Sequence, residues 1–157
     1  DENSALSGNE FTKKIDTYAK ENNSEVLLIS AKIESEISQI TDFKDKQDFL
    51  ESMGLKETGL KRVIKKGYEI LNYINYFTAG EKELRAWTIT KGTLAPSAAG
   101  TIHSDMEKGF IRAETISFND YLSHKGEAGA KEKGKLRLEG KEYEVKDGDI
   151  MHFLFNV

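Results

Sequence analysis

The residues that could perform chemistry are few, and their spacing does not assemble a catalytic site. Hydrolysis of a nucleoside triphosphate by a P-loop protein needs a glycine-rich phosphate loop ending in Lys-Ser or Lys-Thr. No G-x-x-x-x-G-K-[ST] pattern occurs in the 157 residues, and the glycine-rich segment from Gly126 to Gly134 lacks that spacing. The sequence also contains no cysteine, which removes disulfides and thiolate zinc sites. We therefore expect no catalytic residue, no metal site and no cofactor in this chain by itself.

Three histidines are the remaining candidates for acid–base or metal chemistry. His103 and Asp105 lie two positions apart in a predicted helix, where such residues point to different faces. A shared ligand site is therefore disfavoured, and a structural role for His103 is the better interpretation. An alternating pattern predicts His152 on a strand, half-buried or on a binding face. His124 lies in a predicted loop and indicates no function.

One segment, from Lys125 to Lys141, carries a local excess of positive charge in a chain whose net charge is −4. Such a segment could contact RNA phosphates, although a solvated loop is the commoner explanation of a charge run. Aromatic residues near other cations could also stack on bases, but burial explains them equally well. The candidate RNA- or partner-binding residues are Arg85, Lys91, Lys108, Arg112, Lys125, Lys131, Lys133, Lys135 and Arg137.

The candidate cations Arg85, Lys108 and Arg112 lie on elements that are predicted to be two strands and one helix. Glu83–Thr90 is a β-type run, and Pro96 stands where a helix would open. Ser97–Lys108 is predicted as a single helix that ends at Gly109, and Phe110–Ile116 alternates back into a strand. A hairpin followed by a helix that crosses a small mixed sheet is a β-grasp, or ubiquitin-like, pattern. The fold class predicted for the chain is α+β.

Short elements are predicted for the rest of the C-terminal part. Asn119–Leu122 can form one helical turn, and Glu127–Lys133 can form a short helix. Leu136–Leu138 and Tyr143–Val145 are predicted strands, and Ile150–Phe155 alternates as the last strand. An apolar strand this close to the end predicts a C-terminus that is part of the sheet.

The N-terminal part has the pattern of the end of an α/β domain. An amphipathic helix around Phe11 and Ile15 is followed by the apolar segment Glu25–Ser30, which suits a strand buried on both faces. A second helix follows directly, and a third, Phe43–Met53, begins after the predicted cap Asp42. Because a single strand cannot bury itself, its neighbours would lie upstream of Asp1. The chain is therefore expected to be a C-terminal fragment.

Several uncommon blocks carry a resemblance to a known family. They are FTAG at 77–80, RAWTI at 85–89, AAGTIHSD at 98–105, EKGFIRA at 107–113 and DGDIMHFLFNV at 147–157. In these blocks the sequence resembles the C-terminal TGS domain of the YchF/Obg-like ATPases, which have a P-loop GTPase-like nucleotide domain. The resemblance covers nearly all of residues 55–157.

The resemblance implies three regions. Residues 1–42 would be the C-terminal remnant of a P-loop ATPase domain, 43–74 a helical linker, and 75–157 a TGS β-grasp domain. It also implies base-binding positions that work only together with the missing part: Glu2, Ser30, Ala31 and Lys32. Glu2 would end an Asn-x-x-Glu motif that favours adenine over guanine. Taken without the resemblance, Ser-Ala-Lys is more often a plain helix start.

The resemblance further implies a function for the whole protein. It would bind ATP and Mg²⁺ in the cytoplasm, and its TGS domain would contact the ribosome or RNA. The partners expected for this chain are the ribosome or RNA and its own N-terminal ATPase domain, with no membrane and with self-association possible through the exposed remnant. The alternative is a ubiquitin-like module for protein interaction or intramolecular packing, without nucleic-acid contact. An independent enzyme is the third class, which the missing phosphate loop disfavours.

Overall fold

A computed structural model describes residues 8–80 and 83–156. The chain divides into two compact units, one up to Gly67 and one from Tyr68 onward. The described part of the first unit is helical, and the second combines short helices with a sheet. The predicted α+β class is thus confirmed.

The N-terminal unit consists of helices joined by short connections. It contains α1 (Glu10–Glu21), α2 (Ala31–Gln39) and α3 (Phe43–Ser52), and α4 (Gly59–Ile70) begins in it. Side-chain oxygens of Asn9, Ser30 and Asp42 each accept a backbone N–H from the first turn of the helix that follows. These caps satisfy donors that have no partner inside the helix, and they fix the starts of α1, α2 and α3. The helix predicted after Asp42 is confirmed.

The strand predicted over Glu25–Ser30 is wrong for this chain. Residues 24–30 run between α1 and α2 without a strand ladder. A strand forms when a neighbouring strand supplies hydrogen-bond partners for its backbone groups. The described part of this unit contains no strand that could do so. The Leu28 carbonyl instead accepts a hydrogen bond from the Arg62 guanidinium at 3.2 Å. Ile29, within the same apolar run, stays 46% exposed.

Helix α2 forms the buried centre of the N-terminal unit. Ile33 and Ile37 are each 2% exposed, as expected for apolar residues four positions apart on one face of a helix. The Glu34 carboxylate accepts the backbone N–H groups of Gly59 at 2.6 Å and of Leu60 at 3.2 Å. A side chain of α2 therefore caps the start of α4 and ties the two helices together.

The C-terminal unit is built on one mixed sheet. Its strands are β1 (Tyr73–Ala79), β2 (Leu84–Thr90), β3 (Phe110–Ser117), β4 (Arg137–Glu139) and β5 (Asp149–Phe155). They lie in the order β2-β1-β5-β3-β4. The pair β1 and β5 is parallel, and the other neighbouring pairs are antiparallel. The strands predicted before Lys91, after Gly109 and at the end of the chain are confirmed.

Four short helices accompany the sheet in the described residues: α5 (Ala95–Gly100), α6 (Ser104–Lys108), α7 (Phe118–Ser123) and α8 (Glu127–Glu132). The single helix predicted over Ser97–Lys108 is wrong, because the chain leaves the helical conformation between α5 and α6. His103 is extended there, and its Nδ1 accepts the backbone N–H of Asp105 at 3.2 Å. His103 therefore caps a new helix instead of lying inside a longer one.

The core of the C-terminal unit lies between one sheet face and helices α5 and α6. It consists of Tyr76, Ile89, Ala95, Ala98, Ala99, Phe110, Ala113, Val145, Met151 and Phe153. The Tyr76 hydroxyl donates a hydrogen bond to the Ala98 carbonyl at 2.8 Å, which joins β1 to α5. Burial raises the pKa of Tyr76 from 10.0 to about 12.

The last strand is held at its C-terminal end. The Asn156 N–H donates to the Gly109 carbonyl at 2.9 Å, and a Cβ at Gly109 would overlap the Asn156 carbonyl. This close approach requires glycine, so β5 is part of the sheet as predicted. The strand predicted at Tyr143–Val145 is wrong, since that segment forms one bridge, from Glu144 to Leu94. No helix in residues 8–80 and 83–156 is long and apolar enough to span a membrane.

Candidate functional site

The cations predicted to bind a partner are spread over separate places of the C-terminal unit. Arg85 lies on β2, with its guanidinium carbon 4.2 Å from the centre of the Trp87 ring. Both residues line an open cleft of about 530 Å³ beside α6. Lys91 follows β2, and Lys108 ends α6; both side chains are exposed. These three cations do not form one continuous basic patch.

The segment with the highest positive charge is centred on α8. Lys125 precedes this helix in the left-handed conformation (φ 59°), and Lys131 and Lys133 lie at its C-terminal end. All three lysines are exposed. Lys135 pairs with Asp120 at 3.5 Å. The hydrogen bond from Ser117, together with Lys135, lowers the pKa of the Asp120 carboxyl.

The guanidinium of Arg137 is already engaged within the unit. It donates to Glu139 at 2.8 Å and to the Tyr143 hydroxyl at 2.9 Å, and it lies 3.5 Å from the Asp149 carboxylate. Asp149 is 2% exposed and also accepts the Tyr143 hydroxyl at 2.7 Å. Burial, followed by the Asp149 carboxylate, raises the pKa of Tyr143. Arg137 therefore balances a buried negative charge.

Arg112 marks a surface that the sequence pattern did not single out. It lies on the sheet face opposite the core, beside Leu154 on β5. Glu114 faces His152 across the same two strands, and Leu138 lies opposite Glu114 on β4. This open face combines a cation, an acid–histidine pair and exposed leucine. The alternation of β5 predicted which residues share a face, but which face is open depends on where α5 and α6 pack.

The residues expected near a nucleotide base lie in the N-terminal unit. Ser30 caps α2 through its hydroxyl, which accepts the N–H of Ile33 at 3.4 Å. Ala31 is exposed at the first helical position, and Lys32 lies 3.9 Å from Glu36 on the same helix. Glu2 lies outside the described residues. The start of α2 thus places a capping serine, an exposed alanine and an exposed lysine at one point of the surface.

Acidic and histidine side chains do not gather into a metal-binding group in the described residues: no cluster of three or more is found there. His103 and Asp105, which were predicted to point apart, instead approach to 3.4 Å between Nδ1 and the carboxylate. The reason is that His103 precedes the helix, so the helical rule for its direction does not apply.

These observations define a helical unit followed by a small α+β unit that offers an open sheet face and a lysine-bearing helix. The chain belongs to the YchF GTPase C-terminal family, whose model, described as "Protein of unknown function (DUF933)", matches residues 73–156.

Curated relatives carry a more specific name. The "Ribosome-binding ATPase YchF" of Bacillus subtilis (strain 168) is 56% identical over 157 residues, which is 100% of this chain and 43% of that protein. The protein of the same name from Escherichia coli O157:H7 is 53% identical over 149 residues, 95% of this chain and 41% of that protein. The chain thus spans less than half the length of these relatives.

Two solved structures share the fold of this chain. The Schizosaccharomyces pombe YchF GTPase superposes with a TM-score of 0.82 at 35% identity, over 96% of this chain and 40% of that one. A GTP binding protein from Pyrococcus horikoshii OT3 superposes with a TM-score of 0.65 at 18% identity, over 97% of this chain and 44% of that one. At that identity the second likeness concerns the fold alone.

Proposed function

We propose that this chain is the C-terminal part of a YchF-type, Obg-family ribosome-binding ATPase. Membership of the YchF C-terminal family and relatives named ribosome-binding ATPases support this proposal. In it, residues 1–42 are the end of the P-loop domain, 43–74 a helical linker and 75–157 a TGS domain. The strand order β2-β1-β5-β3-β4 with a parallel central pair supports a β-grasp for that domain. A ribosome-bound protein would work in the cytoplasm.

The TGS domain is proposed to contact ribosomal RNA through the lysines around α8. The observation that carries this is the exposure of Lys125, Lys131 and Lys133 at the two ends of one short helix. Phosphate contacts need accessible cations, because the gain comes from neutralising phosphates and releasing their counterions. Exposed Arg112, on the open sheet face, and Lys91 and Lys108, at strand and helix ends, are secondary candidates. Arg85 belongs with them less well, because its guanidinium lies over Trp87.

Nucleotide hydrolysis is assigned to the part of the protein that precedes this chain. The phosphate loop is missing from the sequence, so ATP and Mg²⁺ would be held elsewhere. The start of α2 would complete the base pocket: Ser30 and Ala31 would offer backbone N–H groups, and the Lys32 stem would cover the base. We expect purified chain to show no magnesium-dependent ATP hydrolysis above background.

The ATPase domain is also the proposed partner of the N-terminal unit. Phe11, Ile15 and Tyr18 form one stripe of α1 and are 74%, 54% and 67% exposed. A stripe of this kind on a helix packs against another element in globular proteins. Without the rest of the protein, the same stripe favours self-association.

A protein-interaction or packing module without RNA contact is the second candidate. The exposed leucines Leu84 (73%) and Leu138 (58%) favour it, since both lie on the open sheet face. Salt separates the two functions. Binding through phosphates weakens steeply as salt is raised, whereas apolar docking does not.

The test is co-sedimentation of the chain with ribosomes across a salt series. Replacing Lys125, Lys131 and Lys133 by alanine should weaken binding and reduce the slope of log K against log salt by about 2–3, close to one per lost phosphate contact. The matched control replaces the exposed lysines Lys13, Lys14 and Lys44 of the N-terminal unit. Equal loss in both triple variants, or a binding constant that does not depend on salt, would contradict RNA docking through α8.

A further inference from the structure

The two edges of the sheet differ in how they are protected. One edge is β4, which has three residues, two of them charged: Arg137 and Glu139. The other edge is β2, which has seven residues and a single charged one, Arg85. Natural sheets protect an edge by shortening it or by placing charge or proline on it. The β2 edge has none of these protections over most of its length.

The register shows which backbone groups of β2 point outward. The N–H of Lys91 donates to the Asn72 carbonyl at 2.7 Å, and the N–H of Gly80 donates to the Glu83 carbonyl at 2.9 Å. Hydrogen-bonded pairs alternate along an antiparallel ladder, so residues 85, 87 and 89 bond to β1. The N–H and C=O groups of residues 84, 86 and 88 therefore face away from the sheet. Leu84, Ala86 and Thr88 are all exposed.

We propose that this edge pairs with the β2 edge of a second copy of the chain, antiparallel, with Ala86 opposite Thr88 of the second copy. The pairing would join two sheets into one. In this register Glu83 faces Lys91 of the second copy, and the reverse contact occurs at the other end. A two-residue shift in one direction would put Arg85 opposite Lys91, a like-charge pair that opposes pairing.

Trp87 lies at the centre of the proposed contact. The axis that relates the two strands passes beside this residue, so Trp87 faces Trp87 of the second copy in a non-hydrogen-bonded pair. Side chains are closest in such pairs, and aromatic residues opposite each other stabilise them. The Trp87 Nε1–H donates a hydrogen bond to the Thr78 hydroxyl on β1 at 2.9 Å, which fixes the position of the ring. Trp87 is also the one tryptophan of the chain, so any coupling between tryptophans reports on two copies.

Sedimentation equilibrium of the 157-residue chain over a range of concentrations tests the proposal. Glu83→Lys and Lys91→Glu each turn two opposite-charge contacts into like-charge contacts, and each should raise the dimer dissociation constant about tenfold. The double variant restores both contacts and should return to within about twofold of the parent. Lys133→Glu, a charge reversal away from β2, is the control and should leave the dimer dissociation constant unchanged.

A second variant addresses the backbone. The N–H of Ala86 points away from the sheet and makes no hydrogen bond to β1. Ala86→Pro removes this N–H, and proline is tolerated at such a position of an edge strand. This variant should give a folded monomer that lacks the exciton couplet between tryptophans in circular dichroism. A chain that stays monomeric at every concentration, a dimer insensitive to Glu83→Lys, or a double variant that fails to recover would overturn the proposal. If the parent chain is a monomer and Ala86→Pro abolishes its binding to ribosomes, the proposal is also overturned. The edge would then pair with a ribosomal strand instead of a second copy.

Discussion

The two units differ in how much of their apolar sequence they bury. In the N-terminal unit, Ile33 and Ile37 are buried, while Phe11 and Phe43 are 74% and 80% exposed. In the C-terminal unit, a continuous set of aromatic and aliphatic side chains around Tyr76 is enclosed between the sheet and two helices. The C-terminal unit therefore has a complete hydrophobic core. The N-terminal unit has more large apolar side chains than it buries by itself. This difference fits the proposal that the first unit is part of a larger domain.

Amide hydrogen exchange should reveal the largest difference between the units. Amides of β1, β3 and β5 should exchange roughly a hundredfold or more slower than those of α1, because buried strands open by near-global unfolding and uncovered helices by local fraying. Mass spectrometry of peptides at low protein concentration measures this. Uniform protection in a dilute monomer would contradict the comparison.

Truncating a buried ring should be far more damaging than truncating an exposed one. Tyr76, which is 0% exposed, changed to alanine should lower the free energy of unfolding by about 3–5 kcal/mol. Tyr18→Ala, at a position 67% exposed, is the matched control and should change it by about 0.5 kcal/mol or less. Urea unfolding followed by far-ultraviolet circular dichroism reports both units, and the fluorescence of Trp87 reports the C-terminal unit separately.

Adding one methyl group should have opposite signs at two glycines. Gly109→Ala should destabilise the C-terminal unit by about 1–3 kcal/mol, because the new Cβ would overlap the Asn156 carbonyl. Gly67→Ala lies within α4 with no atom within 4 Å of the new Cβ, and it should stabilise the helix by about 0.5–1 kcal/mol. Thermal unfolding of both variants decides this, and equal effects would show that the Gly109 contact is absent in solution.

Alkaline pH should weaken the C-terminal unit. The pKa of Tyr76 is raised from 10.0 to about 12, so the unfolded chain releases this proton first. The stability from the neutral phenol is complete below pH 10 and declines as the pH rises toward 12. Tyr76→Phe should reduce this alkaline decline, although Tyr143, whose pKa is also raised, contributes in the same direction. A pH titration of unfolding in which the two chains decline in parallel would contradict the assignment.

A smaller effect is expected at the buried polar network. Tyr143→Phe removes the hydroxyl that donates to Asp149 at 2.7 Å and accepts from Arg137 at 2.9 Å. We expect a loss of about 1–2 kcal/mol, the cost of leaving a buried acceptor with fewer partners. Tyr121→Phe, at a half-buried tyrosine of α7, is the control. Equal loss in both variants would mean that the network adds no specific stability.

Local sequence signals predicted most of the helices and strands, but not the point where a helix is interrupted or where a strand lacks a partner. Caps at Asp42 and Ser30 and the alternation around Met151 depend on near neighbours, so helices and strands there could be predicted. The helix break at His103 was missed because a histidine cap has no strong sequence signature. The expected strand at Glu25–Ser30 failed because a strand needs a partner from another part of the chain.

The candidate site divides in the same way. Residue types and local charge pointed to the lysines at Lys125, Lys131 and Lys133, which are exposed. The sequence could not show that Arg137 is held by Glu139 and Asp149, since these contacts depend on how β4 and β5 are placed in the sheet.

By itself, then, the sequence determined the α+β class, the missing phosphate loop and the family, because these depend on composition and on blocks of consecutive residues. The tertiary structure decided which sheet face stays open, which strand forms an unprotected edge, and which cations are engaged within the unit. Those outcomes depend on contacts between residues that are distant in the chain, and a sequence pattern carries no distances between them.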